Sequence, residues 1–328
     1  MPLGLSWHTA VLLFGLVAFT PSRRGDFAPH PHAATSYAAA VARIALRQSA
    51  EDSIVAPGGR SVLLTHGYRT PRVVVLFHGL TDSPLQFLPF AQQLYDCGDN
   101  VYVPRLPHHA ERSGSVAALA RMTAEELRDL GDSTADVAGA LGDTVIVAGL
   151  SAGANVAAWM GQNRNDVQRV ILVAPALEVT HVPSLLHGAV LRLALRAPNV
   201  SRASPRDSTE PDRLPGWTTH AVAQTLRLGG AVRRAADGHP PAARELSFLL
   251  NANDHTVARG PSLDLARQWA ERGASVRVYE LPDTLRLPHD VIDPRHPGSN
   301  AAAVYPVLSA LVHGEAPASG AREVFKRD

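Results

Sequence analysis

The chain of 328 residues has a single cysteine, Cys97, so neither an internal disulfide nor a thiolate zinc cluster can form within it. It also lacks an excess of either charge. With 31 Lys and Arg against 30 Asp and Glu, the formal charge is +1 and there is no basic face to hold a polyanion, which excludes nucleic acid as the expected partner. Aromatic residues are scarce at 5%, yet 45% of the chain is hydrophobic and 19% charged, a composition that excludes disorder throughout and suits one large α/β domain with an insertion. One apolar run stands out, Ala10 to Phe19, inside a stretch from Met1 to Ser22 with no charge and followed by Arg23-Arg24. It is as short as the apolar heart of a signal peptide, but no Lys or Arg precedes it and no small-x-small cleavage site follows. Residues 1–25 are therefore expected to be a signal peptide or a membrane anchor, giving membrane association through this segment and an exported or membrane-associated protein. A buried N-terminal helix on a cytoplasmic protein is the alternative.

Residues 26–52, rich in Pro, Ala, His and Ser, read as a linker ending in a short helix from Tyr37 to Gln48. The domain proper is expected over 53–315. Strands are expected at Ser61–Thr65, Val73–Phe77, Asn100–Pro104, Thr144–Leu150, Arg169–Ala174, Glu245–Leu250 and Ser275–Tyr279, with helices between most of them. Alternation at this spacing implies a mostly parallel sheet with right-handed crossovers. The rhythm breaks at about 178–243, where two amphipathic helical patterns read as an inserted cap. The faces carrying Leu185, Leu186, Val190, Leu193, Trp217, Val222 and Leu226 are expected to cover the mouth of the site. After Glu315 the polar residues 316–328 read as a mobile tail.

The rest of the chain is organised around Thr144-Val-Ile-Val-Ala-Gly-Leu-Ser-Ala-Gly-Ala154. A β-branched run drives into Gly149-Leu150-Ser151-Ala152-Gly153, the pattern of a strand, a one-residue turn and a helix. At such a corner the serine backbone is strained, its hydroxyl stands clear of the sheet, and the next N–H points into the same space. Gly149 and Gly153 are expected where a Cβ would collide. A serine hydroxyl is a poor nucleophile until a base takes its proton, and that base needs a carboxylate to fix its tautomer. Both belong on loops beyond strand ends on the same sheet edge. Asp254, after strand 245–250, and His289, after strand 275–279, are so placed; Asp283, Asp290 and Asp293 are rivals for the acid and His255 for the base. The oxyanion is expected to meet the backbone N–H groups of Ala152 and Leu80, with His78 and Gly79 as supports of the loop that follows strand 73–77. His108-His109 is no metal site, since neighbouring imidazoles do not share one ion and no acidic ligands complete a set.

The set His78-Gly79-Leu80, Gly149-Leu150-Ser151-Ala152-Gly153, Asp254-His255-Thr256-Val257 and Leu287-Pro288-His289-Asp290 closely resembles the α/β-hydrolase superfamily, and within it the monoacylglycerol lipase and carboxylesterase group. The resemblance covers about Ser61 to Val312. It implies an eight-stranded, mostly parallel sheet flanked by helices, a small helical cap, and an acyl-enzyme mechanism on Ser151, His289 and Asp254 with no cofactor and no metal. It further implies a small-molecule or lipid ester as substrate. The family often carries a Gly-His-Gly turn where this chain has Pro107-His108-His109-Ala110. Thioester or amide hydrolysis, acyl transfer, and a membrane-anchored binding protein that kept the fold remain as other readings.

Overall fold

The computed structural model describes residues 25–203 and 213–327. The expected signal or anchor, and part of the expected cap, lie outside those residues. Among the described residues no helix is long and apolar enough to cross a membrane.

In chain order the elements are α1 (Tyr37–Asp52), β1 (Val62–Leu64), β2 (Thr70–Phe77), α2 (Leu88–Asp96), β3 (Asn100–Val103), α3 (Ala124–Leu141), β4 (Gly142–Leu150), α4 (Ala152–Asn163), β5 (Arg169–Val173), α5 (Ser184–Ala194), β6 (Ser201–Ala203), β7 (Gly216–Thr218), α6 (Thr219–Gly238), β8 (Glu245–Asn251), α7 (Arg259–Glu271), β9 (Ser275–Leu281), α8 (Ala301–His313) and β10 (Arg322–Arg327). One sheet of eight strands runs β1-β3-β2-β4-β5-β8-β9-β10. The six central strands are parallel; β1 and β10 close the two edges antiparallel.

The period-two alternation of the strands explains the layering. Val73, Val75, Phe77, Val145 and Val147 point into one apolar core with α1, α3, α4, α6 and α7, while Val74, Leu76, Ile146, Ala148 and Leu150 point into the other with α2 and α8. Covered on both faces, β2 and β4 need no polar residues, and their unbroken β-branched runs follow from that. The sequence also writes the helix starts. Thr123 and Glu126 form a reciprocal capping box on α3, and Ser83 caps the short 3-10 turn before α2 with Pro84 at its first position.

Three expectations need correction. The eighth strand comes from the stretch expected to be a mobile tail: β10 pairs with β9 from Arg322 opposite Glu280 to Arg327 opposite Val276, with a bulge between Glu323 and Phe325. The supposed linker 26–36 is a strap bound to the domain. Trp159 Nε1 and Arg128 Nη1 donate to the carbonyls of Phe27 (2.9 Å) and Ala28 (2.6 Å), and the N–H groups of His30 and His32 donate to Asp132 (2.6 Å) and Asp136 (2.9 Å). Those two carboxylates are held in turn by the buried Arg164. The inserted region, thirdly, is only partly a cap: α5 and the hairpin β6–β7 lie outside the core, whereas Leu228, Val232 and Ala236 of α6 belong to it.

The strap predicts a sharp difference between two truncations. Removing residues 1–24 leaves every described contact in place and should leave Tm unchanged, whereas removing 1–36 deletes these bonds and should lower Tm by roughly 5 °C or more. Equal Tm values for the two would show that the strap contributes nothing.

Candidate active site

Strand β4 delivers Ser151 to the carboxyl edge of the sheet. Its backbone lies at φ 55° and ψ −111°, a left-handed conformation that costs on the order of 1–3 kcal/mol for a residue with a Cβ. The corner is held by the Ser151 N–H donating to the Val173 carbonyl at 2.9 Å, and by the Ser151 carbonyl accepting from Asn155 and Ala176, both at 3.3 Å. Both neighbouring glycines are required by close approach. A Cβ on Gly149 would overlap the Gly153 carbonyl, and one on Gly153 would overlap the carbonyl oxygens of Phe77 and His78. Strand β2, helix α4 and the elbow therefore touch backbone to backbone.

Beyond β8, Asp254 accepts from the N–H groups of Thr256 (2.8 Å) and Val257 (3.2 Å) through Oδ1 and meets His289 Nδ1 at 2.7 Å through Oδ2. Burial alone would raise the Asp254 pKa, but the bond and charge of His289, with the two amides, outweigh it and hold the carboxyl below its usual range. Two asparagines that the sequence did not single out lock the loop of His289 onto the loop of Asp254. Asn251 Nδ2 donates to the carbonyls of Leu287 (3.1 Å) and Pro288 (2.9 Å), and Asn253 Nδ2 donates to Leu287 at 3.0 Å. His289 Nε2 is buried without a hydrogen-bond partner, and His289 and Ser151 line the same cavity. Of the rivals, Asp290 accepts from Ile292 (3.0 Å) and Asp293 (3.1 Å), Asp293 pairs with Arg295, and Asp283 opens a short 3-10 turn. His255 lies on the cavity wall.

The loop after β2 brings Leu80 to that cavity beside Ala152, the first residue of α4, whose N–H has no partner within the helix. His78 is fully buried. It accepts from the Leu106 N–H at 3.0 Å through Nε2, so Nδ1 carries the proton and donates to the Gly79 carbonyl at 2.9 Å. Burial, with the nearby His109, pushes its pKa well below the ordinary value, so the ring stays neutral. Gly79 is less demanding than its neighbours in the elbow: a Cβ there would make an ordinary 3.6 Å contact with Gln86.

His109 was missed as a support of this loop. Its Nε2 lies 2.7 Å from the Leu80 carbonyl and its Nδ1 2.8 Å from the Pro107 carbonyl. The flanking residues His108 and Ala110 have φ of 62° and 50°, the values a Gly-His-Gly turn would supply without strain. The signal was present in the sequence, hidden because neither flanking residue is glycine. Burial pushes the His109 imidazole down to about 4 despite the two carbonyls that favour its charged form.

The cavity holds about 920 Å³. Val179, Leu214, Trp217, Val222, Leu226 and Val257 make its apolar walls, so the inner half of the expected cap face is placed as foreseen. The outer half is not: Leu185 is 94% exposed and Leu186 and Val190 also face solvent, because α5 lies beyond the walls. One side of the rim is ionic. Asp82, Asp290 and Asp293 bring carboxylate oxygens within 4.8 Å of one another, a spacing a cation can bridge, but the guanidinium groups of Arg213 and Arg295 already supply positive charge there. Burial and the neighbouring Asp290 push the Asp82 carboxyl well above its usual range.

Residues 69–280 match the Hydrolase_4 family, described as serine aminopeptidase, S33. Among solved structures, one described under LipS and LipT, two metagenome-derived lipolytic enzymes, is 19% identical, with a TM-score of 0.56 over 80% of this chain and 100% of that one. The monoacylglycerol lipase of Paleococcus ferrophilus is 15% identical, with a TM-score of 0.56 over 77% of this chain and 98% of its own. A soluble variant of monoglyceride lipase from Saccharomyces cerevisiae, in complex with a substrate analog, is 12% identical, with a TM-score of 0.54 over 77% and 91%. At these identities the likeness is one of fold. No curated protein matches the chain.

The buried His109 makes folding sensitive to acid. Unfolded, the ring binds a proton below about 6.5, but folded it resists until about 4, so its contribution is complete above the higher value and is lost as pH falls through the window. Between pH 7 and pH 5 the loss should be about 2 kcal/mol. Urea unfolding at both pH values should show a smaller loss for His109→Gln than for the unaltered protein; equal losses would contradict the assignment.

Proposed function

Because the chain belongs to the serine aminopeptidase S33 family of α/β-hydrolases, we propose that it cleaves carboxylic esters of hydrophobic acyl groups through an acyl-enzyme on Ser151. The observation that carries this reading is the 2.7 Å bond from His289 Nδ1 to Asp254, which leaves Nε2 as the free basic nitrogen in a cavity shared with Ser151. Nε2 takes the Ser151 proton as Oγ attacks the ester carbonyl. The N–H groups of Leu80 and Ala152 hold the oxyanion, each such donor being worth about 3 kcal/mol in a dry site. The tetrahedral intermediate collapses as the alcohol leaves with the proton from His289, and a water activated by the same ring then releases the acid. Asp254 keeps the ring in the Nδ1–H tautomer and stabilises the imidazolium.

The apolar walls favour an acyl chain, and a lipidic monoester of the monoacylglycerol kind fits a cavity of this size. An aminopeptidase would need a carboxylate available at the mouth for the substrate's ammonium group. Asp82, Asp290 and Asp293 face Arg213 and Arg295 instead, which favours the ester reading. The uncharged N-terminal run extends the proposal to an enzyme exported or held at a membrane, which cell fractionation tests directly.

Ser151→Ala should reduce hydrolysis of p-nitrophenyl acyl esters by at least about 1000-fold and abolish labelling by a fluorophosphonate probe, with circular dichroism unchanged. His289→Ala should be as severe, and Asp254→Asn milder though still worse than Asp290→Asn. Full activity in Ser151→Ala removes the nucleophile from its role. An unlabelled wild-type protein would favour the non-catalytic reading, and an Asp290 variant worse than the Asp254 one would reassign the acid.

A further inference from the structure

We propose that Gln86 and Asp290 are positioning residues that tie the oxyanion loop to the loop bearing the base, so that Leu80 N–H and His289 move as one unit. The inference rests on the proposed roles of those two groups. Its physical basis is a line of buried hydrogen bonds with no break. The N–H of Gly79, the residue before Leu80, donates to Gln86 Oε1 at 2.8 Å. Gln86 Nε2 donates to Asp290 Oδ2 at 2.9 Å and to Asp82 Oδ2 at 3.3 Å. Asp290, the residue after His289, uses its other oxygen to accept from the N–H groups of Ile292 and Asp293. Three groups thus span the distance between the two loops, the joining bond running between Gln86 and Asp290, which lie 204 residues apart in sequence.

The direction of the amide is dictated by its neighbours. An N–H faces one end of the Gln86 side chain and two carboxylates face the other, so the oxygen must point to Gly79 and the nitrogen to Asp290 and Asp82. Gln86 is 2% exposed, and turning the amide over would oppose like groups at both ends in a site from which water is largely excluded. Arg213, on the cap side, places its guanidinium 3.2 Å from Asp82 and 3.7 Å from Asp290, so positive charge faces the carboxylates that grip Gln86.

Function requires this rigidity because the oxyanion donor and the base must be correct relative to the same Oγ in the transition state, and a loop displaced by about 1 Å is enough to lose much of the rate. Binding of the acyl chain, which depends on the apolar walls, does not require it. Loss of the link should therefore fall on kcat and leave KM largely alone.

The test is an exchange of partners in the full chain. Gln86→Glu sets a carboxylate against Asp290 and Asp82, and kcat for a p-nitrophenyl ester should fall on the order of 10- to 100-fold with KM within about threefold. Asp290→Asn should lower kcat as well. The double variant Gln86→Glu/Asp290→Asn restores an amide–carboxylate pair with its ends reversed, still accepting from Gly79 N–H and opposed only by Asp82, and should recover kcat at least about fivefold over Gln86→Glu alone. Recovery shows that the Gln86–Asp290 contact itself is what matters, and a loss confined to kcat with KM kept is what separates positioning from a purely structural role. If Gln86→Glu fails to fold, Gln86→Met, apolar and of similar volume, should show the same kcat loss at unchanged KM. Unchanged kcat in the folded Gln86 variant, or a double variant no better than the worse single one, overturns the proposal. Fluorophosphonate labelling of Ser151 in the unaltered enzyme keeps this failure separate from failure of the hydrolase reading, which an unlabelled Ser151 would signal instead.

Discussion

The structure depends on one close approach, that of the Ser151 corner to the end of β2. Gly153 rests against the carbonyls of Phe77 and His78, and Gly149 against Gly153, so strand, elbow and helix meet with no side chain between them. A serine forced to φ 55° exists only because these contacts and the Val173 carbonyl leave the backbone no alternative. The same contact places the loop that continues from His78, the proposed oxyanion loop, next to the first turn of α4. The proposed nucleophile and both proposed oxyanion donors are thus fixed by a single packing event in the middle of the parallel sheet.

Around this point the loops brace one another. Asp254 holds His289, Asn251 and Asn253 hold the carbonyls just before His289, and Gln86 runs from the loop beside His289 back to Gly79. His109 takes hold of the Leu80 carbonyl from the opposite side. The cap joins in through the Leu214 N–H, which donates to the Thr81 carbonyl, and through Arg213. The buried polar groups of this region are therefore organised around orienting two loops, while the walls that would receive an acyl chain are left apolar.

Much of this was readable in the sequence because it is written locally. Gly149-Leu150-Ser151-Ala152-Gly153 after a β-branched run fixes a strand and a helix by short-range sterics, and alternating strands and helices fix a parallel sheet. That Asp254 and His289 would meet was legible from their positions after strand ends. What escaped was held by long-range bonds that use backbone groups. The strap has no apolar periodicity, since its anchors are N–H and carbonyl groups received by Asp132, Asp136, Arg128 and Trp159 about a hundred or more residues away. The segment Arg322–Arg327 is too polar to announce a strand, and an edge position is what tolerates that polarity. Gln86 carries no local pattern at all, and the turn around His109 was masked because His108 and Ala110 stand where glycines would announce it.

The central claim is that the Ser151 oxygen becomes covalently acylated during turnover. Intact-mass measurement of the protein quenched during hydrolysis of a slow p-nitrophenyl ester, followed by peptide mapping, tests it most directly. One acyl increment per chain on the peptide containing Ser151, absent from Ser151→Ala, is the predicted result. An increment on another residue, or turnover with no covalent species under conditions where the burst of p-nitrophenol equals the enzyme concentration, would contradict it.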